Sequence, residues 1–246
     1  MVTAYDAWSA RLIARSSVDA VLVGDSVAMV MHGHTTTLPA TVRLMALHTR
    51  AVAGALGGKF LIADLPFLSF RKGIPAAMTA VGTLMANGAR AVKLEGVAGH
   101  EDVIGRIVGS GVPVMGHIGL TPQSVNQLGG FRVQGRNDAD AAGLMDQARA
   151  LEELGCFSIV LECVPAELAT RITAEVRVPT IGIGAGAGTD GQVLVLQDLW
   201  GVDTTQVPRF VRPYLDGERV LTNALNRYDA DVKQARFPGP AESYSS

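Results

Sequence analysis

The chain has 246 residues, 48% of them hydrophobic and 18% charged, with a formal net charge of -2. That is enough apolar chain for a substantial core, and α/β barrels of roughly 200–250 residues fold as one domain. The scattered charges leave no basic stripe for nucleic acid, no apolar run reaches the length of a membrane span, and charges interrupt the N-terminal stretch where a secretion signal needs an apolar core. Two cysteines, Cys156 and Cys163, lie in or beside one apolar run. They are too few for a disulfide framework, so reduced thiols and a cytoplasmic location are expected.

Short apolar runs recur along the chain: VTAY (2–5), AVLVG (20–24), KFLIA (59–63), AVKLE (91–95), VPVMGHIG (112–119), FSIVLE (157–162), VPTIGIG (178–184) and QVLVLQD (192–198). Longer helical patterns separate them, such as PAAMTAVGTLMANGA (75–89) and DAAGLMDQARALEELG (140–155). Apolar runs alternating with helices indicate βαβ units and a parallel sheet. Eight units in this length predict a (β/α)8 TIM barrel, a single domain over residues 1–246 with a poorly ordered tail from about Phe237. An open doubly wound sheet is the rival fold. Its dinucleotide-binding form wants GxGxxG after an early strand, whereas GIGAGAG (182–188) has glycine at every second position and comes seventh in the series.

In such a barrel the active site lies at the C-terminal ends of the strands. Those ends read Asp6, Asp25-Ser26, Asp64, Glu95, His117, Glu162, the glycines of 182–188, and Asp198. Strand alternation places Val21, Val23 and Asp25 on one face, and Lys93 with Glu95 on one face. Each residue also has an ordinary reading. Asp25 is a possible helix cap, Asp64 a turn residue before Leu65-Pro66, Lys93 with Glu95 a structural ion pair, and His117 a satisfied core histidine. The glycines suit either a tight loop or close backbone approach to a substrate oxygen. His32 and His34, in HGH, are a weak zinc signal without a third ligand. Glu162 is the hardest to explain away, because a glutamate in so apolar a strand must shift its pKa or find a partner.

Taken together, the acids, one lysine and one histidine converge on one mouth. Hard oxygen ligands favour Mg2+, which takes one or two carboxylates and leaves positions for a bidentate oxygen ligand such as a 2-oxo acid. A cation so chelated stabilises an enolate as a Lewis acid. A separate buried carboxylate then serves as base, so the chemistry indicated is carbon-acid activation of an oxo acid.

GDS (24–26), ADLPF (63–67), VKLEG (92–96), GHIGLTPQSVN (116–126), GGFRVQGR (129–136), LECVPAELA (161–169), GIGAG (182–186) and DGQVLV (190–195) resemble the 3-methyl-2-oxobutanoate hydroxymethyltransferase family. The resemblance runs from TAYD (3–6) to FPG (237–239) and is most specific in GHIGLTPQSVN and GGFRVQGR. It implies a (β/α)8 barrel that transfers a one-carbon unit from the co-substrate 5,10-methylenetetrahydrofolate to 3-methyl-2-oxobutanoate, giving 2-dehydropantoate for pantothenate and coenzyme A synthesis. It further implies Mg2+ on Asp25 and Asp64, with Glu95 joining through water. Ser26 and Lys93 would hold the oxo acid alongside Asp25 and Asp64, His117 would line the pocket, and Glu162 would accept the proton from carbon 3. A homo-oligomer, a decamer, is implied as well. Family members carry a further helix and the start of the first strand ahead of the TAYD block, so a difference is expected at the bottom of the barrel and in subunit assembly. Two alternatives stand beside this. One is a Mg2+-dependent oxo-acid enzyme of the phosphoenolpyruvate mutase and isocitrate lyase type, whose lyases use a loop cysteine. The other is a catalytically impaired binding barrel, against which every polar position the family needs is filled.

Overall fold

The eight apolar runs become eight parallel strands in a computed structural model that describes residues 1–203 and 207–244. They are β1 (Val2–Thr3), β2 (Ala20–Val23), β3 (Phe60–Asp64), β4 (Ala91–Glu95), β5 (Val114–Gly119), β6 (Ser158–Glu162), β7 (Thr180–Ile183) and β8 (Gly191–Gln192), and they pair in chain order. The sheet closes on itself: Val2 bridges Leu194 in parallel, the Thr3 N–H donates to the Leu194 carbonyl at 3.1 Å, and the Met1 ammonium donates to the Gln192 carbonyl at 3.0 Å. The fold is the expected TIM barrel.

The intervening helices begin where the sequence supplies a cap. Asn137 accepts from the Asp140 N–H at 2.9 Å to start Asp138–Glu153, and Thr41 accepts from the Leu44 N–H at 3.1 Å to start Val42–Ala53. Pro75 sits in the first turn of Ile74–Ala86, where its missing N–H costs nothing. The last predicted strand is much shorter than its apolar run. QVLVLQD leaves the ladder after the Val193 N–H has bonded to Gly182 and Leu194 has met β1, and Leu196–Trp200 turns helical. Asp198 therefore lies in a helix's first turn, where an acid suits the helix dipole, and not at a strand end.

Cross-strand register identifies the barrel interior. Leu22 pairs with Ile62 and Ile62 with Ala91; Met115 lies beside Lys93, and Val160 beside His117. Leu22, Ile62, Ala91, Met115 and Val160 form one buried cluster, with Met1, Phe60, Phe157, Ile181 and Ile183 packed on it. Val21 and Val23 are fully buried but occupy the other face of β2 from Leu22. The face that alternation shared among Val21, Val23 and Asp25 is thus not the one turned inward.

The chain divides into two compact units, Met1–Val195 with the barrel and a second from Leu196 onward. The second unit holds Leu196–Trp200, the helix Gly217–Lys233 and a 3-10 turn at Pro240–Glu242. In the segment expected to be a loose tail, the Phe237 ring meets Tyr228 edge-on at 5.6 Å; residues 245–246 lie outside the described residues. Among the described residues no helix is long and apolar enough to cross a membrane.

Candidate active site at the barrel mouth

Two residues beyond the apolar floor, the same strands and the same face turn polar. Ile62 is followed by Asp64, Ala91 by Lys93 and then Glu95, Met115 by His117, and Val160 by Glu162. Asp64 stands beside Lys93 in register, Glu95 beside His117, and Glu162 beside Gly119. The last pairing requires glycine: Gly119 has φ 92°, and a Cβ there would collide with the Glu162 carbonyl, which accepts from the Leu120 N–H at 2.8 Å.

Asp25 reaches the site by a different route. After Val23 the chain turns at Gly24, where a Cβ would crowd Ser26 Oγ at 2.8 Å and approach Asp64 Oδ2 at 3.6 Å. The Asp25 N–H then donates to Asp64 Oδ2 at 3.0 Å, and Asp25 Oδ2 accepts from Gln123 Nε2 at 2.8 Å. The N-cap of the following short helix is Ser26, which makes no side-chain cap bond. Ser26 Oγ instead lies 2.7 Å from the hydroxyl of buried Tyr5, whose phenol is pushed up by burial.

Lys93 Nζ lies 3.1 Å from Asp64 Oδ1 and 3.2 Å from His117 Nδ1. The lysine's ion pair is therefore with Asp64 rather than with Glu95, its neighbour on the strand face. Glu95 Oε2 accepts the Gln123 backbone N–H at 2.9 Å, and Glu95 Oε1 is 3.6 Å from His117 Nδ1. His117 Nε2 faces Glu162 Oε2 at 3.2 Å. One network thus joins the six polar residues Asp25, Asp64, Lys93, Glu95, His117 and Glu162 with Gln123.

The charges are out of balance. Asp25, Asp64 and Glu95 are all buried around a single lysine. Burial, followed by the charges of Asp64 and Glu95, raises Asp25 well above the usual carboxylate range. Burial raises Asp64 too, against the pull of Lys93. Burial opposes the Lys93 charge, but the surrounding acids outweigh it and hold the ammonium above its ordinary value. Burial and Lys93 push His117 down, while the facing carboxylates of Glu162 and Glu95 prevail and lift it to about 9.

This donor set fits a divalent cation. Asp64 Oδ1 is near the Lys93 ammonium, yet among the described residues it has no aligned hydrogen-bond donor. Asp25, Asp64, Glu95 and Glu162 also outnumber the two cationic side chains among them, Lys93 and His117. Among the described residues no three His, Cys, Asp or Glu side chains form a ready-made metal cluster. A site of two carboxylates, Asp25 and Asp64, completed by waters and an oxygen ligand is the arrangement Mg2+ takes.

The remaining sequence candidates have structural roles. Asp6 caps Ala7–Ala14, accepting from the Ser9 N–H at 2.9 Å. In the glycine run, a Cβ at Gly186 or Gly188 would run into Ala166 or Thr170, so these glycines let the loop lie against the helix Ala166–Glu175. In HGH, His32 turns to His48, with their Nε2 atoms 3.0 Å apart and ring centroids 5.3 Å apart. The nitrogens face each other head-on, as in an N–H···N bond. His48 Nδ1 donates to the Tyr5 carbonyl at 2.5 Å. Both cysteines are free thiols pushed up to about 12, Cys156 by burial and Cys163 by burial and then Glu162. Neither is a thiolate nucleophile at neutral pH. Gln123 carried no assigned role in the sequence, although it sits inside the most specific block; only its two-sided bonding to Asp25 and Glu95 exposes it.

The family model described as Ketopantoate hydroxymethyltransferase matches residues 1–240. Relatives named 3-methyl-2-oxobutanoate hydroxymethyltransferase are similar over nearly their whole length. That of Bdellovibrio bacteriovorus is 56% identical over 245 residues, covering 100% of this chain and 93% of the relative. That of Coxiella burnetii is 53% identical over 239 residues (97% and 90%), and that of Legionella pneumophila 51% over 245 residues (99% and 94%). Solved structures share the fold at low identity. Phosphoenolpyruvate phosphomutase from Streptomyces platensis superposes with a TM-score of 0.63 at 13% identity, over 95% of this chain and 82% of that one. A 2,3-dimethylmalate lyase of the PEP mutase/isocitrate lyase superfamily gives 0.61 at 15%, over 100% and 83%. With the family model spanning almost the whole chain and relatives above half identity, the chain belongs to the ketopantoate hydroxymethyltransferase family of transferase enzymes.

Proposed function

We propose that this chain transfers a hydroxymethyl group from 5,10-methylenetetrahydrofolate to 3-methyl-2-oxobutanoate, forming 2-dehydropantoate. The observation that carries the reading is the setting of Glu162. Its side chain is 17% exposed and lies 3.2 Å from His117 Nε2, whereas Asp25, Asp64 and Glu95 are buried. A carboxylate that is oriented yet reachable suits proton abstraction from a bound carbon acid.

Mg2+ fits Asp25 and Asp64, and when bound it neutralises negative charge on the oxygens of the oxo acid as a Lewis acid. Glu95, whose oxygens already face Gln123 and His117, is suited to reach the cation through water. Lys93 supplies a fixed positive charge for the carboxylate of the oxo acid, and Ser26, oriented by the Tyr5 hydroxyl, offers a second polar contact. Glu162 takes the proton from carbon 3, and His117 holds the carboxylate in place as its charge changes. The resulting enolate carbon bonds to the methylene carbon of the folate. One of the methylene carbon's two carbon–nitrogen bonds breaks as the carbon–carbon bond forms, and that nitrogen takes the proton from Glu162. Water then replaces the second nitrogen, which takes the water's proton, leaving the hydroxymethyl group and free tetrahydrofolate. A homo-oligomeric, cytoplasmic enzyme of pantothenate synthesis is part of the same reading.

The test is proton exchange at carbon 3 of 3-methyl-2-oxobutanoate in D2O with Mg2+ and without folate, followed by NMR. Metal-dependent loss of the signal in wild type, abolished in Glu162→Gln and strongly reduced in Asp64→Asn, supports the reading. Wild-type protein that binds the oxo acid but exchanges nothing counts against Glu162 as the base. Formation of 2-dehydropantoate on addition of 5,10-methylenetetrahydrofolate then tests the transfer half.

A further inference from the structure

Gln123 occupies a 3-10 turn, Pro122–Ser124, directly after β5, and is 5% exposed. Its backbone N–H donates to Glu95 Oε2 at 2.9 Å, and its side-chain Nε2 donates to Asp25 Oδ2 at 2.8 Å and to the Leu65 carbonyl at 3.0 Å. One residue therefore ties together the chain just beyond β2 and β3 and the last residue of β4. The amide orientation is fixed by chemistry, because a flipped amide would set its oxygen against a carboxylate and a carbonyl, two acceptors. Gln123 Oε1 is then left buried and, among the described residues, without a hydrogen-bond partner. A buried acceptor left unpaired is a standing cost, and natural structures keep such groups where a ligand or water completes them. Oε1 is one amide width away from the nitrogen that holds Asp25.

We propose that Gln123 is a positioning residue for the cation site: it pins Asp25 Oδ2 so that the other carboxylate oxygen is presented to the cation, and its Oε1 accepts a hydrogen bond from a water that arrives with that cation. The inference rests on the reading of Asp25 and Asp64 as the Mg2+ ligands. Partners of this kind, one bond removed from a metal ligand, change metal affinity by about 10–100-fold when removed.

The test is direct binding of Mn2+, a paramagnetic stand-in for Mg2+, to the whole protein by electron paramagnetic resonance, with no substrate present. Thermal unfolding is measured alongside. In Gln123→Met, which keeps the side chain's length without the amide, the Mn2+ affinity of the folded protein falls at least tenfold; the melting temperature falls as well, because Asp25 Oδ2 and the Leu65 carbonyl lose their donor. A purely structural glutamine gives a lower melting temperature with unchanged Mn2+ affinity in the folded protein, and that overturns the proposal. Should Gln123→Met not fold, Gln123→Asn, which withdraws the same amide from Asp25, is read in the same assay with the same expected loss. Wild type that binds Mn2+ as its variants do overturns the role of Gln123 alone. Wild type that binds no Mn2+ removes the Asp25 and Asp64 reading and this role with it.

Discussion

Ile62, Ala91, Met115 and Val160 form an apolar floor inside the barrel, and two residues further along the same strands stand Asp64, Lys93, His117 and Glu162. The two layers share strands and face but have opposite physics. The floor gains stability by removing carbon from water and needs no partner of a particular kind. The mouth gains nothing from burial itself: every group there is stable only because another sits within about 4 Å of it, so it stands or falls as a network. A dry floor beneath the charges also keeps water from screening them from below, which strengthens each pairing in the layer above.

Substitutions that treat the two layers alike would break this contrast. The largest effect is expected for Glu162→Gln. Carbon-3 exchange should fall by about 10²–10⁴-fold, the usual share of a general base, with little change in stability because the amide keeps the shape of the side chain. Next is Lys93→Met, which leaves buried Asp64 without the ammonium beside it. Denaturant titration should show a loss of about 3–5 kcal/mol, the cost of breaking a buried pair from one side. Met115→Ala, in the floor, should cost about 2–5 kcal/mol through lost transfer energy and a cavity. Its exchange rate per folded molecule should stay near that of wild type, the reverse of the Glu162 result. The smallest effect is expected for His48→Gln. It removes the bond to His32 and the donation to the Tyr5 carbonyl, and unfolding should move by about 1–3 kcal/mol, the net worth of two hydrogen bonds.

The strand ends were readable because an apolar run that stops at an acid has few ordinary explanations. AVKLE and FSIVLE end as strands at Glu95 and Glu162 as their composition requires. Asp25 was readable as a site residue but not by the right geometry. Period-two alternation breaks at Gly24, and a turn rather than the β2 face delivers the carboxylate. Asp198 failed for the converse reason: QVLVLQD has the composition of a strand, but among the described residues its bridge to β1 is at Leu194, and Leu196–Trp200 coils into a helix. Gln123 was illegible because its contacts are with Asp25, 98 residues away, and with Glu95 through a backbone N–H that every residue but proline possesses. The choice of Asp64 over Glu95 as the ion-pair partner of Lys93 likewise depends on a neighbouring strand, which no local pattern announces.

β1 and β8 each pair with their neighbour over two residues, and Val2 and Thr3 meet Leu194 across the seam. β5 and β6, by contrast, stay in register from Met115 beside Ser158 to Gly119 beside Glu162. Local opening follows the segments held by fewest buried backbone bonds. In deuterium labelling of the native protein the Thr3 amide should take up label early, and those of Gly116 and Ile118 only with global unfolding. Because Asp64, Lys93, Glu95, His117 and Glu162 all stand on β3 through β6, opening at the seam leaves those five in place and reaches the mouth only through Tyr5 and its contact with Ser26.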